Sequence, residues 1–366
     1  MIRLASVIEQ FEGDFLQQYA DRLLPSQRKA LAAMQVCRNR YSPLLQAHCE
    51  HCDSDQYFPH SCGNRHCPHC QQHESQQWLE NQCRKQVPAN YFMITFTVPA
   101  QLRNLFFRHQ RSCYGLLFKS AWDTLHTFSQ NDRKLKGTPG VVAVLHTHSR
   151  ALNYHPHIHA VIPAAAINKD HRLWREKPGK YLFNHKALAK VFRAKLLAAM
   201  VEEKLTLPDD CPPRWVVDCQ SVGSGQKALV YLGRYLYRGV IQEKDILSCR
   251  DGNVTFRYLD SKTGRYQNKT VAGADFLWRV LQHVLPRGFR RARNYGFLHP
   301  NSKTLIRLLT LVFRFKPAQF MQKQKPRPQL VCACCGNPMQ IVKTRIDRFT
   351  HHVLNPARRA GEYLMM

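Results

Sequence analysis

The sequence predicts an α+β fold, and two features of its strands and helices indicate it. Apolar residues alternate with histidines along residues 154–163, which is the period of a β-strand with an apolar face and a histidine face. The alternating residues are Ile158, Ala160 and Ile162 on one side and His155, His157 and His159 on the other. A second predicted strand, residues 141–148, precedes this one across a short turn, so the two are expected to form a hairpin. Apolar residues at helical spacing predict helices over 101–130, 185–205 and 226–241.

The charge of the chain points to a polyanionic partner. The 366 residues include 54 Lys and Arg against 25 Asp and Glu, a formal net charge of +29. Nucleic acid is the expected partner of so basic a protein, and a membrane surface is the alternative. No run of eighteen apolar residues occurs, because Arg307 and Arg314 interrupt the most apolar segment near the C-terminus. With no cleavable apolar leader at residues 1–10, we expect a cytoplasmic, nucleoid-associated protein and no membrane partner.

Composition divides the chain into three parts. Residues 1–88 hold two amphipathic helices followed by closely spaced cysteines. A β-rich run that starts at Tyr91 opens the second part, residues 89–297. Residues 298–366 form a basic tail with a Pro/Lys/Gln-rich linker and a third C-x-x-C pair, Cys332 and Cys335, which could form a small zinc site with His351 and His352.

The cysteines of the first part predict structural zinc. Cys49–Cys52 and Cys67–Cys70 are two C-x-x-C knuckles separated by fourteen residues. Thiolates at this spacing can close a tetrahedral Zn²⁺ site, and the metal supplies folding energy that a short loop lacks. Cys62 and Cys37 lie close by, so Cys62 could replace a member of the set, or a second metal could bind.

The histidine face of the hairpin predicts a metal site. Neutral imidazole is the commonest metal ligand, and His157 and His159 point to the same face. His146 lies in the facing strand and is our first choice for a third ligand, with His148 second. A polar strand face without chemistry is the plainer interpretation. The alternating histidines of residues 155–159 also fit two known patterns. One is the metal-binding strand of single-stranded-DNA endonucleases, and the other is the histidine triad of nucleotide hydrolases.

The helix predicted over 226–241 carries two phenols and two guanidiniums on one face. At about 100° per residue, Tyr231, Arg234, Tyr235 and Arg238 fall on the same side, and leucines take the opposite side. An amphipathic helix with an aromatic surface is the alternative without chemistry. Downstream, a basic run interleaves arginines with Phe289 and Tyr295, which suits a nucleic-acid strand better than a solvated face. Its arginines are Arg287, Arg290, Arg291 and Arg293.

Four segments in order resemble the transposases of the IS91 insertion-sequence family, which are His-hydrophobic-His nucleases. The segments are the cysteines from Cys49 to Cys70, the stretch from Leu145 to Pro163, Tyr231–Tyr235 with Arg238, and Leu285–Arg290 with Tyr295–Gly296. The resemblance covers the chain to about residue 300. It departs at Ala164–Ala166, where the family often has glycines, and the family varies at His148, which favours His146 as the third ligand.

The resemblance implies an antiparallel sheet that carries the histidine strand centrally, with the tyrosine helix across it. It also implies a zinc-binding module, zinc-ribbon-like, at residues 1–88. His157, His159 and His146 would hold Mg²⁺ or Mn²⁺. Tyr231 or Tyr235 would attack a scissile phosphate, with Arg234 and Arg238 stabilising its charge and His155 supporting a ligand. Single-stranded DNA at insertion-sequence ends would be the substrate of rolling-circle transposition, and host replication machinery a further partner.

Two other functions fit parts of the sequence. A histidine-triad nucleotide hydrolase would use His155, His157 and His159, but it leaves the cysteines, the charge and the tyrosine helix unexplained. A non-enzymatic zinc-dependent DNA-binding protein would leave the tyrosines without a role. A replication initiator or plasmid relaxase would share the chemistry of the transposase, and a test of mobility would separate them.

Overall fold

A computed structural model describes residues 1–70, 72–168, 173–237, 240–260, 263–315 and 329–347. In chain order the helices are α1 (Leu4–Tyr19), α2 (Pro25–Gln35), α3 (Gln72–Cys83), α4 (Arg103–Arg108), α5 (Gln110–Asn131), α6 (His185–Glu202), α7 (Gln226–Tyr237), α8 (Gly273–Leu281) and α9 (Lys303–Val312). Among the described residues, none of these helices combines the length and the apolar character needed to cross a bilayer.

The strands alternate with these helices and complete the predicted α+β fold. They are β1 (Leu44–Cys49), β2 (Ser54–Pro59), β3 (Tyr91–Thr97), β4 (Thr138–His148), β5 (Tyr154–Pro163), β6 (Ala165–Asn168), β7 (Leu173–Glu176), β8 (Val217–Ser221), β9 (Ile246–Arg250), β10 (Asn253–Leu259), β11 (Tyr266–Ala272), β12 (Ala292–Gly296) and β13 (Gln340–Ile346). The predicted hairpin is confirmed as β4 and β5. Strands β1, β2, β6, β7, β12 and β13 were not predicted.

The central sheet places the histidine strand in its interior. Its order is β7-β6-β4-β5-β3-β8, with β12 paired to β4, and the pairings are antiparallel. His146 of β4 lies directly opposite His157 of β5, as the hairpin predicted. The register then shifts by one residue, so His148 faces Tyr154. This irregularity separates His148 from the position that the regular alternation would give it.

Helices cover both faces of the central sheet. Helices α5 and α6 pack on the apolar face of β5, which carries Ile158, Ala160 and Ile162, so the prediction of a buried apolar face is confirmed. Leucines of α7 pack on the opposite face against Val144 and Val161. The histidine face is therefore also covered, and His157 and His159 are only 8% and 9% exposed.

Gly225 lies immediately before α7 and fixes where this helix begins relative to the sheet. Its φ is +76°, and a Cβ there would lie 2.6 Å from the Tyr91 ring. Glycine adopts this left-handed conformation without the steric cost that other residues meet. The Gly225 carbonyl then accepts a hydrogen bond from the Leu229 amide, which starts the helix that packs on β4 and β5. This junction sets where the two tyrosines of α7 lie.

The N-terminal helices share a core with a later part of the chain. Phe11 and Phe15 of α1 pack with Phe256 of β10 and Phe276 of α8. Strand β13 joins β1 and β2 in a small antiparallel sheet, so the C-terminal segment also packs on the N-terminal part. The predicted parts 1–88, 89–297 and 298–366 therefore do not correspond to separate hydrophobic cores.

Candidate active site

Three imidazoles converge beneath α7. The metal-binding nitrogen atoms of His146, His157 and His159 all lie within 4.8 Å of one another. The β4–β5 pairing sets the first two opposite each other, and the strand period places His159 on the same face as His157. Our first choice of third ligand is thus the residue that the structure brings together with the other two.

Hydrogen bonds occupy the Nδ1 atoms of His157 and His159 and leave their Nε2 atoms for a metal. His157 donates its Nδ1–H to the backbone carbonyl of His155, at 2.6 Å, so its Nε2 carries the lone pair. The His159 Nδ1 is paired with the Thr95 hydroxyl at 2.9 Å. The Nε2 of His146 is buried, and none of the described residues forms a hydrogen bond with it. A buried polar atom without a partner is costly, and a cation bound to these nitrogens would remove that cost.

Burial keeps the three rings neutral. Desolvation, followed by the nearby imidazoles, lowers the pKa of His146 and of His157 well below the usual histidine value. Desolvation alone lowers the pKa of His159 to about 4. Neutral imidazole is the form that binds a metal. The donor chemistry, the spacing and the orphaned nitrogen therefore all fit a bound divalent cation.

The ring of His155 takes no part in this set. Its Nδ1 accepts a hydrogen bond from Arg103 at 2.8 Å, and its backbone carbonyl accepts one from His157. Its contact with His157 is thus made through the main chain, and its role in supporting a metal ligand stays a prediction. A histidine triad of His155, His157 and His159 is therefore not the group that converges, which counts against the nucleotide hydrolase.

The two tyrosines of α7 reach the histidine centre in different ways. The Tyr235 ring stacks on His146, with centroids 3.4 Å apart and planes inclined by 10°. Its hydroxyl accepts the Thr147 amide at 3.0 Å. The Tyr231 ring lies 5.6 Å from that of His159 and is 36% exposed, so its phenol borders both the centre and solvent.

Arg150 is a site residue that the sequence reasoning missed. It lies in the turn between β4 and β5, close enough for its positive charge to act on the Tyr231 phenol. Burial raises the pKa of Tyr231, and the positive charge of Arg150 opposes that rise. The position of Arg150 in the short turn just before the histidine strand was the sequence feature that could have indicated it. The Arg234 side chain and the whole of Arg238 lie outside the described residues.

A buried polar group supports the Tyr235 side of the centre. The Thr147 hydroxyl pairs with His283 Nδ1 at 2.8 Å and with His148 Nδ1 at 3.0 Å. His148, the second choice for a metal ligand, therefore belongs to this group and not to the histidine centre. Buried groups of this kind fix a unique arrangement when their members are paired.

The basic run is only partly available to DNA. Arg291 is 8% exposed and donates to the carbonyls of Leu236 and His283, so the expected DNA contact is wrong at this residue. Arg293 stacks over the buried Phe289, whose ring is therefore not free for a base. Two of the predicted arginines, Arg287 and Arg290, are exposed.

One cysteine centre gathers the second knuckle with two earlier residues. It consists of Cys37, Cys62, Cys67 and Cys70. The Cys37 sulfur lies 3.3 Å from that of Cys70 and 3.6 Å from that of Cys67, close to the separation of about 3.8 Å that tetrahedral Zn–S bonds require. Hydrogen bonding with Cys37 lowers the pKa of Cys70 and raises that of Cys67. The set fits a structural zinc ion.

The first knuckle lies elsewhere. Cys49 and Cys52 do not meet Cys67 and Cys70 in one site, so the predicted five-cysteine set is wrong as a single centre. The reason is topological: the β1–β2 turn carries the first knuckle toward β13, whereas the second packs at the end of α2. His351 and His352, expected as ligands in the tail, lie outside the described residues.

Comparison with known proteins matches both halves of this arrangement. Residues 7–98 match a family described as "Transposase zinc-binding domain", and residues 140–304 match one described as "Putative transposase". The "Putative transposase y4qJ" of Sinorhizobium fredii is 33% identical over 303 residues, which cover 75% of each chain. The transposase for insertion sequence element IS801 of Pseudomonas savastanoi pv. phaseolicola is 30% identical over 273 residues, covering 68% of this chain and 63% of that one. No solved structure matches the chain.

Proposed function

The chain belongs to the IS91 family of transposases, and we propose that it cuts and rejoins single-stranded DNA at the ends of its insertion sequence. The observation that carries the proposal is the convergence of three neutral imidazoles with two phenols at one buried centre. A set of metal-binding side chains beside a potential oxygen nucleophile provides the groups that phosphodiester transesterification requires.

The histidine centre is the proposed site of a divalent cation, Mg²⁺ or Mn²⁺. Bound to His146, His157 and His159, such an ion would act as a Lewis acid and template for the scissile phosphate. Mg²⁺ prefers oxygen ligands, and imidazole suits more polarisable metals. Of the two ions, we therefore expect Mn²⁺ to support the higher rate at equal concentration.

Tyr231 is the proposed first nucleophile. Its phenol is exposed to incoming DNA, whereas the hydroxyl of Tyr235 is already held by the Thr147 amide. The Tyr231 oxygen would bond to phosphorus as the bond to the 3′ oxygen breaks. The phenol releases its proton to solvent and the leaving 3′ oxygen takes one up, so the products are a 5′-phosphotyrosine and a free 3′-OH. The phosphodiester energy is retained in the adduct, so rejoining needs no ATP.

Arg150 is the proposed partner of Tyr231 in this step. A guanidinium beside a phenol stabilises the phenolate, and a guanidinium beside a phosphate stabilises the added charge of the transition state. The turn that carries Arg150 is held in place from outside the hairpin. Arg279 donates to the Leu152 carbonyl, and both Arg279 and Lys269 donate to the Asn153 side chain.

Tyr235 is proposed to act second. It lies one helical turn from Tyr231, so a second strand could be attacked from the same helix face. Until then its ring holds His146 by stacking, and its hydroxyl holds the β4 backbone. Two alternating nucleophiles are what rolling-circle transposition requires, with host replication machinery renewing the displaced strand. The exposed Arg287 and Arg290 are proposed to bind the DNA backbone.

A cleavage assay tests the proposal. A labelled single-stranded oligonucleotide from the element's end is incubated with the protein and Mn²⁺ and analysed on a denaturing protein gel. We expect a covalent protein–DNA band that EDTA prevents and that a duplex of the same sequence does not give. Tight binding without a band would instead favour the non-enzymatic DNA-binding protein.

A further inference from the structure

Four cysteines from the two ends of the chain meet at one point. We call this set the terminal centre, and its members are Cys49, Cys52, Cys332 and Cys335. The Cys49 and Cys335 sulfurs lie 3.5 Å apart, and those of Cys52 and Cys332 lie 3.4 Å apart. These separations are far longer than the S–S bond of a disulfide, about 2.05 Å, and close to the spacing of tetrahedral zinc thiolates.

The C-terminal knuckle has the local structure of a metal-binding turn. The Gly336 amide donates to the Cys332 carbonyl at 2.8 Å, and Gly336 takes a left-handed φ of +72°. The Cys334 amide points to the Cys332 sulfur at 3.4 Å, and the Asn337 side chain to the Cys335 sulfur at 3.5 Å. Such N–H···S contacts stabilise thiolates and orient metal ligands.

The three-stranded sheet of β13, β1 and β2 around the terminal centre has only a small hydrophobic cluster to stabilise it. Strand β13 pairs with β1 beside Cys49, with His48 opposite Gln340. The hydrophobic cluster beneath it consists of Ala47, Met339 and two of the cysteines themselves, with a few half-buried neighbours. A core of this size does not stabilise a three-stranded sheet unaided, whereas a structural zinc ion can.

We infer that the terminal centre binds a second zinc ion, which fastens the C-terminal strand β13 to the N-terminal module. The residues that match the zinc-binding family end at 98, so that match does not include half of these ligands. The inference does not depend on the proposed cleavage reaction. It gives the segment 329–347 a fold that exists only when the metal is bound.

Zinc content is the direct test. The full chain is purified under reducing conditions, and zinc per chain is measured by elemental mass spectrometry. We expect Cys335→Ser to hold one zinc ion fewer than the wild type. The matched control is Cys334→Ser, because Cys334 is exposed and lies outside the set, and it should keep the wild-type zinc content. Equal zinc contents in the wild type and Cys335→Ser would overturn the inference.

Three further measurements guard against misfolding and disulfides. Cys335→His keeps a zinc-binding atom and should retain the zinc content of the wild type, so a loss in Cys335→Ser alone reports ligation. Trypsin should cut after Lys343 and Arg345 of β13 at least about tenfold faster in Cys335→Ser than in Cys334→Ser, because local opening controls such cleavage. If thiol titration of the unreduced protein shows the four cysteines oxidised, the centre is a disulfide pair and the inference fails.

Discussion

The histidine centre and the cysteine centres hold their ligands by opposite means. The imidazoles come from two neighbouring strands within residues 146–159, and main-chain pairing with burial sets their geometry. The thiols of the terminal centre come from distant parts of the chain, since Cys49 and Cys335 are 286 residues apart, and those of the other cysteine centre come from residues 37–70. Crowded thiolates repel one another without a cation. From this difference we expect that removing the metal with a chelator stops DNA cleavage at the histidine centre without unfolding it. At the cysteine centres, we expect removal of zinc to unfold the surrounding structure.

The largest effect is expected at the histidine centre. His157→Ala removes one of three ligands, and cleavage should fall by on the order of 10³-fold, the equivalent of several kcal/mol of transition-state stabilisation. DNA binding and thermal stability should change little, since the backbone pairing that shapes the centre is kept. Single-turnover cleavage and fluorescence anisotropy measure the two quantities.

His155→Ala is the matched control for this substitution. It removes a ring that contacts Arg103 but keeps the carbonyl that orients His157, so cleavage should stay within about threefold of wild type, as for substitutions outside the reacting set. Equal losses in both variants would mean that the strand matters and the ligand set does not.

Loss of a ligand from the centre of Cys37, Cys62, Cys67 and Cys70 should lower thermal stability before it affects cleavage. Cys67→Ser should release one zinc ion and lower the melting temperature by more than about 10 °C, because metal binding supplies folding free energy there. Cleavage would then fall only as the folded fraction falls. Cys211→Ser, outside both clusters, is the control in calorimetry and zinc analysis. A stable, zinc-replete Cys67→Ser protein would remove this centre from the account.

Arg150→Gln should slow cleavage by about tenfold near neutral pH, a change equivalent to about one pKa unit. Burial raises the pKa of Tyr231 and Arg150 counteracts it, so loss of the cation raises the pKa further. Less phenolate then forms at a given pH, and the rise of the rate with pH moves to higher pH. Arg150→Lys should restore most of the rate. A pH profile identical to wild type would exclude the proposed role.

The smallest effect is expected at Thr147. Thr147→Val removes the hydroxyl that pairs with His283 but keeps the amide that holds Tyr235. We expect a cost of about 1–2 kcal/mol in unfolding free energy, the usual result of leaving a buried imidazole unpaired, and a loss of cleavage below fivefold. Thr147→Ser, which keeps the hydroxyl, should be close to wild type in urea unfolding.

The β4–β5 hairpin, the shared face of α7 and the histidine centre were predictable because their signals are local. Alternation along β5 gives the buried and histidine faces, and the short turn before it brings His146 opposite His157. The spacing of Tyr231 and Tyr235 by four residues predicts a shared helix face. None of these inferences needs contacts between distant segments.

Local signals could not predict which cysteines come together or which arginines of the basic run stay exposed. Nothing in the spacing of Cys49 and Cys52 indicates a strand near residue 340, because that pairing depends on the whole chain. Arg291 resembles its neighbours in sequence, yet packing under α7 buries it while Arg287 stays exposed. Tertiary context decides both.

Mapping the covalent adduct tests the central claim most directly. Wild type, Tyr231→Phe and Tyr235→Phe are incubated with the single-stranded substrate and Mn²⁺, and the peptide linked to the 5′ phosphate is identified by mass spectrometry. We predict an adduct at Tyr231 in wild type, none in the first variant after a single turnover, and an adduct still at Tyr231 in the second. An adduct at Tyr235 in wild type, or undiminished cleavage in Tyr231→Phe, would contradict the account.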